Sequence, residues 1–287
     1  MRVLTVLAAA AAMTAAAVSA DAAPRWAIAV HGGAGAMARG ALTLEQEAAY
    51  REAMTAAVQA GSEVLASGGA AMDAVETVIR RLEDDPLFNA GRGAVFTADG
   101  RVELEAAMMD GATLAAGAVA GVTRTRHPIS LAREVMTHSP HVMLIGEGAE
   151  AFARSRGLEA VDPAFFFTEP RWRDLTRTLA AQGLPIPPRP KGAPALDARA
   201  DLIHDEGKHG TVGVVALDRQ GHVAAGTSTG GVVAKRWGRV GNSPIIGAGT
   251  YADAGCAVSA TGTGEYFIRL GAAREICFLV KYKGLKL

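Results

Sequence analysis

The sequence predicts a mixed α+β fold. Short apolar, β-branched runs that end in glycine turns are typical of strands, and longer segments with apolar residues at helical spacing are typical of helices. Both kinds recur along the 287 residues, beginning with a strand at residues 26–30 and two helices at residues 43–82. Two helices packed on a sheet are the simplest arrangement for this first part.

The composition excludes several classes of protein. With 49% hydrophobic and 20% charged residues, the chain is not expected to be disordered. Its 29 basic and 29 acidic side chains cancel, so there is no electrostatic footprint for nucleic acid or an anionic membrane. We therefore expect a small-molecule or dipeptide substrate, with no nucleic-acid or membrane partner.

Residues 1–23 have the pattern of a secretory signal peptide. A charged start is followed by an apolar, alanine-rich middle and by small residues near the expected cleavage point. A membrane anchor is the alternative, but Asp21 and Pro24 follow too soon. We expect a periplasmic or secreted protein, in which Cys256 and Cys277 could pair; their spacing does not indicate a metal site.

The first helix has a clear start signal. Thr43 and Gln46 have the spacing of a capping box, and the helical pattern continues to residue 67. A second helix is predicted from Ala70 to about Leu82.

The glycine turn at residues 31–36, after the first strand, could cradle a phosphate, but it lacks the spacing of a nucleotide-binding motif. Close backbone packing is the commoner reason for such glycines, and nucleotide binding stays a weaker alternative.

The middle of the chain alternates loops, strands and helices. Residues 82–96 form an acidic helix end and a glycine-bracketed loop that leads into a strand, and strands follow at 102–104 and 114–122 around a turn at 108–111. The remaining segments of this part are a helix at 130–137, a buried strand at 141–146 and a helix at 147–156.

Residues 171–209 are predicted to be a flexible linker, because their prolines disfavour a helix or a central strand. Beyond the linker, strands at 211–217 and 222–228 form a hairpin through the turn at 218–221. The last predicted segments are a strand at 257–260, a tight turn at 261–265 and a helix at 266–282.

The step from Gly210 to Thr211 looks like a cleavage site. A threonine that begins a chain carries its own base, because its α-amine titrates near about 7.7 to 8 and lies within reach of its Oγ. A glycine before the scissile bond can adopt the strained backbone that self-cleavage needs. Taken alone, the same residues are also how an ordinary buried strand begins.

Eight separate blocks along the chain raise the first interpretation over the second. Together they resemble the plant-type asparaginase and isoaspartyl peptidase family of amino-terminal-nucleophile hydrolases, to which the glycosylasparaginases also belong. The similarity extends from Trp26 to the end of the sequence. The blocks are residues 31–35 (HGGAG), 86–91 (PLFNAG), 109–111 (MDG), 141–148, 210–213 (GTVG), 227–231 (TSTGG), 238–241 (GRVG) and 261–265 (TGTGE).

The resemblance implies a four-layer αββα sandwich and a precursor that cuts itself into two subunits. These would be an α subunit of residues 24–210, with the linker 171–209 at its end, and a β subunit of residues 211–287. The implied reaction is hydrolysis of L-asparagine or of β-aspartyl dipeptides, and the implied assembly is a dimer of cleaved heterodimers. Which substrate is preferred, including glycosylated asparagine, stays open.

The resemblance also implies the roles of individual residues. Thr211 would be the nucleophile with Thr229 beside it, and the Thr261 hydroxyl and the Gly262 N–H would form the oxyanion hole. Asn89 would help to position the nucleophile. No cofactor is implied for catalysis. The implied substrate-binding residues are Arg239, Asn242, Gly262 and Gly264, and a structural sodium would be held by the backbone carbonyls of Leu82, Glu83, Asp85, Phe88, Ala90 and Arg92.

Three departures from the family pattern qualify these expectations. Asn242 stands where aspartate usually meets the α-ammonium of the substrate, so we expect weaker binding of free asparagine. Glu105 also replaces an aspartate, and we expect this change to affect local packing only. The sequence ends at Leu287, before the helix and closing strands of the family, so we expect an incomplete β subunit, and an inactive truncated member is the alternative.

Overall fold

The computed structural model of the protein describes residues 26–34, 42–193 and 210–286. The expected signal peptide, part of the glycine turn, linker residues 194–209 and Leu287 lie outside this part of the chain. No helix among the described residues is long and apolar enough to cross a membrane.

A six-stranded sheet forms the centre of the molecule. Its strand order is β1-β5-β6-β2-β3-β4, and every neighbouring pair is antiparallel except β3 with β4. The predicted hairpin at residues 211–228 is confirmed as β5 and β6. The strands are β1 (Ala27–His31), β2 (Leu104–Asp110), β3 (Ala116–Val122), β4 (Met143–Ile145), β5 (Val212–Leu217) and β6 (Val223–Thr229).

Helices cover one face of this sheet and bury the larger hydrophobic core against it. The capping box at Thr43 is confirmed: its hydroxyl accepts from the Gln46 N–H, and the Gln46 side chain accepts from the Thr43 N–H. The helices of this part are α1 (Leu44–Ala66), α2 (Ala71–Asp84), α3 (Pro128–His138), α4 (Gly146–Ser155) and α5 (Glu169–Ala181).

A smaller sheet and two helices lie on the other face. Strands β7 (Thr250–Asp253) and β8 (Cys256–Ser259) pair with each other and pack on the large sheet, and α7 (Ala272–Lys283) packs outside them, preceded by α6 (Gly264–Leu270). Cys256 and Cys277 form a disulfide that joins β8 to α7. The layers run helix, sheet, sheet, helix, so the predicted α+β, four-layer αββα arrangement is confirmed.

Four local predictions are wrong. The expected turn at 108–111 is mostly strand, because β2 is paired on both sides and only its last residue reaches the turn. The expected buried strand at 141–146 is the short edge strand β4, which is partly exposed. Linker residues 171–181 belong to α5, whose buried Leu175 and Leu179 pack into the core. The last helix breaks at Gly271, whose φ of 58° ends α6.

Candidate active site

Thr211 immediately precedes β5 and is 6% exposed. Its Oγ1 lies 2.7 Å from the carbonyl oxygen of Gly210 and 2.9 Å from Oγ1 of Thr229. A single hydroxyl hydrogen can serve only one of these acceptors at a time. The hydroxyl predicted to be the nucleophile is therefore held between the predicted scissile carbonyl and a second hydroxyl.

Backbone pairing explains why Thr229 is beside Thr211. Val212 and Ser228 are partners in the β5–β6 ladder, so the residues that flank them meet at the same end of the sheet. The Thr229 Oγ1 accepts a hydrogen bond of 2.9 Å from the Gly231 N–H, which orients it. The predicted neighbour of the nucleophile is thus placed by strand register.

Asn89 contacts the predicted scissile carbonyl directly. Its Nδ2 donates to the carbonyl oxygens of Gly210 and Gly231, at 2.8 Å each, and its Oδ1 accepts from the Val95 N–H at 3.0 Å. The side chain is 1% exposed and uses both its donor and acceptor ends. An amide donor aimed at the Gly210 oxygen can stabilise negative charge that develops there.

His31 lies next to this cluster, although its glycine-rich local sequence indicated no catalytic role for it. Its Nε2 is 3.2 Å from the Ser259 hydroxyl, which is 2.7 Å from the Thr227 hydroxyl. Gly213 makes room for both, because a Cβ there would lie 1.9 Å from Ser259 Oγ and 2.2 Å from His31 Nε2. Burial lowers the pKa of His31, and a hydrogen bond with the Thr211 backbone opposes that shift.

The predicted substrate-binding residues form a second group. A Cβ on Gly264 would lie 2.9 Å from Arg239 Nη2 and 3.2 Å from Asn242 Oδ1, so all three residues border one space. The Arg239 Nε donates to the exposed Glu265 carboxylate at 3.0 Å. Asn242 Nδ2 donates to the Ala260 carbonyl at 2.8 Å, a hydrogen bond that an aspartate could not donate.

Thr261 and Gly262 lie on the loop between β8 and α6 and are half-buried. Gly262 has a φ of 154°, and a Cβ there would lie 2.7 Å from the Phe267 ring. Among the described residues no hydrogen bond joins the Thr261 side chain to Thr211. The contact with the nucleophile cluster is made by Ser259, the last residue of β8 before this loop, which packs against Gly213. The oxyanion-hole role of Thr261 and Gly262 stays a prediction.

Glu105 makes specific polar contacts in the structure, and the expectation that replacing aspartate affects local packing only stays a prediction. Its carboxylate is fully buried, pairs with Lys235 Nζ at 2.9 Å and accepts from the Gly241 N–H at 3.0 Å. Lys235 was not singled out from the sequence. Nothing in the run of residues 235–239 distinguishes a buried lysine from the basic residues beside it, and only the fold brings it to β2.

The predicted sodium ligands lie in the last turn of α2 and on the loop that follows it. A Cβ on Gly91 would lie 2.2 Å from the Glu83 carbonyl oxygen, and one on Gly93 would lie 2.1 Å from that of Phe88. The loop therefore closes tightly around backbone oxygens, which are suitable donors for a hard cation. This donor chemistry fits the predicted ion.

The side chain of Glu83, in the last turn of α2, is a separate buried feature. Its Oε1 accepts from the Ser228 hydroxyl at 2.6 Å and from the Ile129 N–H at 3.1 Å. Burial raises the pKa of this carboxyl, and the hydrogen bonds with His127 and Ser228 oppose the shift. The carboxyl joins the end of α2 to β6 at Ser228, one residue before Thr229.

The layered fold is that of amino-terminal-nucleophile hydrolases, and comparison with known proteins supports this class. An asparaginase family model matches residues 24–287. Two similar proteins are an isoaspartyl peptidase of Escherichia coli strain K12 and one of Salmonella typhimurium. The first is 53% identical over 91% of this chain and 78% of its own length. The second is 51% identical over 91% of this chain and 80% of its own length.

A third similar protein is a plant-type L-asparaginase of Thermococcus kodakarensis. It is 45% identical over 89% of this chain and 79% of its own length. The chain therefore spans about four fifths of each of these relatives. It belongs to the asparaginase family, whose members are hydrolases.

Proposed function

We propose that the chain is a self-processing threonine hydrolase. It would cut its own Gly210–Thr211 bond and then hydrolyse the side-chain amide of L-asparagine and the β-aspartyl bond of isoaspartyl peptides. The main support for the proposal is the contact between the Thr211 hydroxyl and the carbonyl oxygen of Gly210. Asn89 donates a second hydrogen bond to the same oxygen.

Self-processing begins with attack by Thr211 Oγ1 on the carbonyl carbon of Gly210. The C–N bond then breaks, the hydroxyl proton is transferred to the departing Thr211 nitrogen, and an ester joins Gly210 to the threonine oxygen. Asn89 Nδ2 stabilises the charge that develops on the carbonyl oxygen. Water hydrolyses the ester, which leaves a Gly210 carboxylate and a threonine with a free amine and hydroxyl.

The new amine supplies the base for the second reaction. It accepts the Oγ1 proton as the oxygen attacks the side-chain carbonyl of the substrate. Thr229 orients the Thr211 hydroxyl through a hydrogen bond. The Thr261 hydroxyl and the Gly262 N–H would donate hydrogen bonds that stabilise the negative charge on the substrate oxygen. The leaving ammonia or amino acid takes a proton, and water then hydrolyses the aspartyl ester to release L-aspartate.

The second group of residues would select the substrate. Arg239 can meet an α-carboxylate with two parallel N–H donors, and Asn242 offers a neutral oxygen to an α-ammonium. The names of the relatives agree with both substrate classes, since two are isoaspartyl peptidases and one is an L-asparaginase. We expect a charged α-amino acid end to be required in either substrate.

Three further properties are proposed, one from the sequence pattern and two from the family resemblance. We propose export of the protein, based on the pattern of residues 1–23, which cell fractionation would test. We also propose a sodium ion on the carbonyl loop after α2, and a dimer of cleaved heterodimers. Melting temperature with and without sodium, and the mass of the native particle, would test these two.

The function is tested by comparing the wild-type chain with Thr211→Ala and Thr211→Ser. On a denaturing gel the wild-type protein should give two pieces, and Thr211→Ala should stay whole and lose activity on β-aspartyl-leucine by about 10⁴-fold or more. Thr211→Ser keeps a hydroxyl and should retain slower cleavage. A single band with undiminished activity would rule out the proposal.

A further inference from the structure

A buried ion pair lies behind the proposed substrate arginine. The side chains of Lys235 and Glu105 are 1% and 0% exposed, and Nζ lies 2.9 Å from Oε1. Lys235 Nζ also donates to the carbonyl oxygen of Glu103 at 2.9 Å. Replacing such a pair with apolar residues is often neutral or stabilising, so fold stability alone does not account for it.

Glu105 connects the two parts of the site. In the β2–β6 ladder it is paired with Thr229, the neighbour of the nucleophile. Its other oxygen, Oε2, accepts from the Gly241 N–H at 3.0 Å. Gly241 lies between Val240 and Asn242 and two residues after Arg239, so one carboxylate ties the substrate-binding loop to the strand that carries Thr229.

Arg239 lies close to the same pair. A Cβ on Gly231 would lie 3.3 Å from Lys235 Nζ and 3.4 Å from Arg239 Nη1. A Cβ on Gly241 would lie 2.9 Å from Arg239 Nη1 and 3.5 Å from Glu105 Oε2. Lys235 and Arg239 therefore both lie near the Glu105 carboxylate. The carboxylate pairs with Lys235.

The pairing of Glu105 with Lys235 and not with Arg239 matters for substrate binding. A carboxylate left without its lysine would attract the Arg239 guanidinium, because an arginine and a carboxylate form a strong hydrogen-bonded pair. Glu265 already pairs with Arg239 Nε, so a guanidinium whose Nη atoms were held by Glu105 would have no pair of donors left for the α-carboxylate of a substrate. Lys235 thus neutralises Glu105, and Glu105 in turn holds the Gly241 backbone through Oε2.

We propose that Glu105 and Lys235 are a positioning pair that keeps Arg239 available for the α-carboxylate of the substrate. The inference rests on the proposed function, since it assigns Arg239 to substrate recognition. Neither residue touches the reacting atoms. The pair should therefore affect the KM for substrates with an α-carboxylate and leave kcat largely unchanged.

The test uses two double variants without a buried charge, so neither has an unpaired ion that could prevent folding. Glu105→Gln with Lys235→Met keeps an oxygen that can accept from the Gly241 N–H. Glu105→Leu with Lys235→Met has no such acceptor. We expect the first to keep the wild-type KM for β-aspartyl-leucine and the second to raise it about tenfold at unchanged kcat.

Lys235→Met alone provides the opposite case. It leaves the Glu105 carboxylate free to pair with Arg239, so its KM should exceed that of the glutamine double variant, although it contains fewer changes. A second substrate is a β-aspartyl dipeptide in which the α-carboxylate of the aspartyl residue is replaced by a carboxamide. Its KM should be the same for all the variants. Equal KM values for both double variants and the wild type, or matched losses in kcat, would overturn the inference.

Binding of L-aspartate by calorimetry separates this inference from the proposed function. If the wild-type protein binds L-aspartate and the variants follow the predicted order without any hydrolysis, the positioning role stands and the proposed function fails. If hydrolysis proceeds and the variants bind L-aspartate equally, the positioning role fails alone.

Discussion

The nucleophile cluster and the substrate-binding loop are built in different ways. Thr211 and Thr229 are 6% and 2% exposed and meet because two adjacent strands are in register. Arg239 lies on a loop between β6 and β7, and its Nε pairs with Glu265, whose side chain is 57% exposed. The first region is placed by backbone hydrogen bonds and the second by charged side chains.

This difference predicts different sensitivities. A change in the nucleophile cluster alters the contacts of a single carbonyl and should affect self-processing in steps of two or three orders of magnitude. A change in the loop alters a balance among several charges, and it should shift substrate affinity by about tenfold. Variants of the two buried asparagines, one in each region, separate these cases.

Beyond replacement of Thr211 itself, the largest effect is expected for Asn89→Asp. The aspartate can still accept from the Val95 N–H, but it cannot donate to the Gly210 carbonyl and places negative charge beside it. We expect processing to slow by about 10²- to 10³-fold, as for loss of an oxyanion donor. The rate is measured by following the two fragments on a denaturing gel after synthesis.

The matched control for that variant is Asn242→Asp, an identical replacement outside the nucleophile cluster. It should be processed at the wild-type rate. Equal processing of both variants and the wild type would show that the contact between Asn89 and Gly210 does not matter for cleavage.

Asn242→Asp has its own expected result in hydrolysis. A carboxylate would pair with the α-ammonium of free asparagine, so we expect the KM for L-asparagine to fall by about tenfold. The variant also loses the hydrogen bond to the Ala260 carbonyl, so its melting temperature should fall. Kinetics and thermal unfolding measure the two effects separately, and an unchanged KM would contradict the proposed contact.

The smallest effect concerns pH and His31. Because burial lowers the pKa of His31 below its ordinary value of 6.5, the unfolded chain takes up a proton at that site before the folded chain does. This group is neutral in both states above that value, and it reduces stability as pH falls below it. Glu83 acts in the opposite sense, since its raised pKa reduces stability as pH rises above 4.5.

Comparison with a variant isolates the histidine. The melting temperature of His31→Gln should fall less than that of the wild type between pH 6.5 and pH 5, by about 2–4 °C for each kcal/mol of difference. Parallel curves for His31→Gln and the wild type would contradict the assignment.

Local sequence patterns predicted much of the fold. The capping box at Thr43 and the hairpin through residues 218–221 depend on residues close together in the chain, and both are confirmed. The linker prediction failed at residues 171–181, where the apolar face of α5 packs into the core. The prolines on which the prediction rested begin at Pro185, beyond the end of the helix, and residues 171–181 contain none.

Long-range contacts were harder to predict. The cysteines were left open as a possible pair, because a separation of 21 residues has no geometric meaning until β8 and α7 are packed. Lys235 and Glu105 are 130 residues apart, and each has an ordinary local sequence. The fold alone makes them partners, which is why the sequence indicated no role for the pair.

The central claim is that cleavage before Thr211 creates the attacking group. Mass spectrometry of the purified wild-type protein, with sequencing of the smaller fragment, measures this directly. We predict a fragment whose first residue is Thr211 and hydrolysis of β-aspartyl-leucine that grows in proportion to that fragment. Full hydrolysis by a chain that remains intact across residues 210 and 211 would contradict the claim.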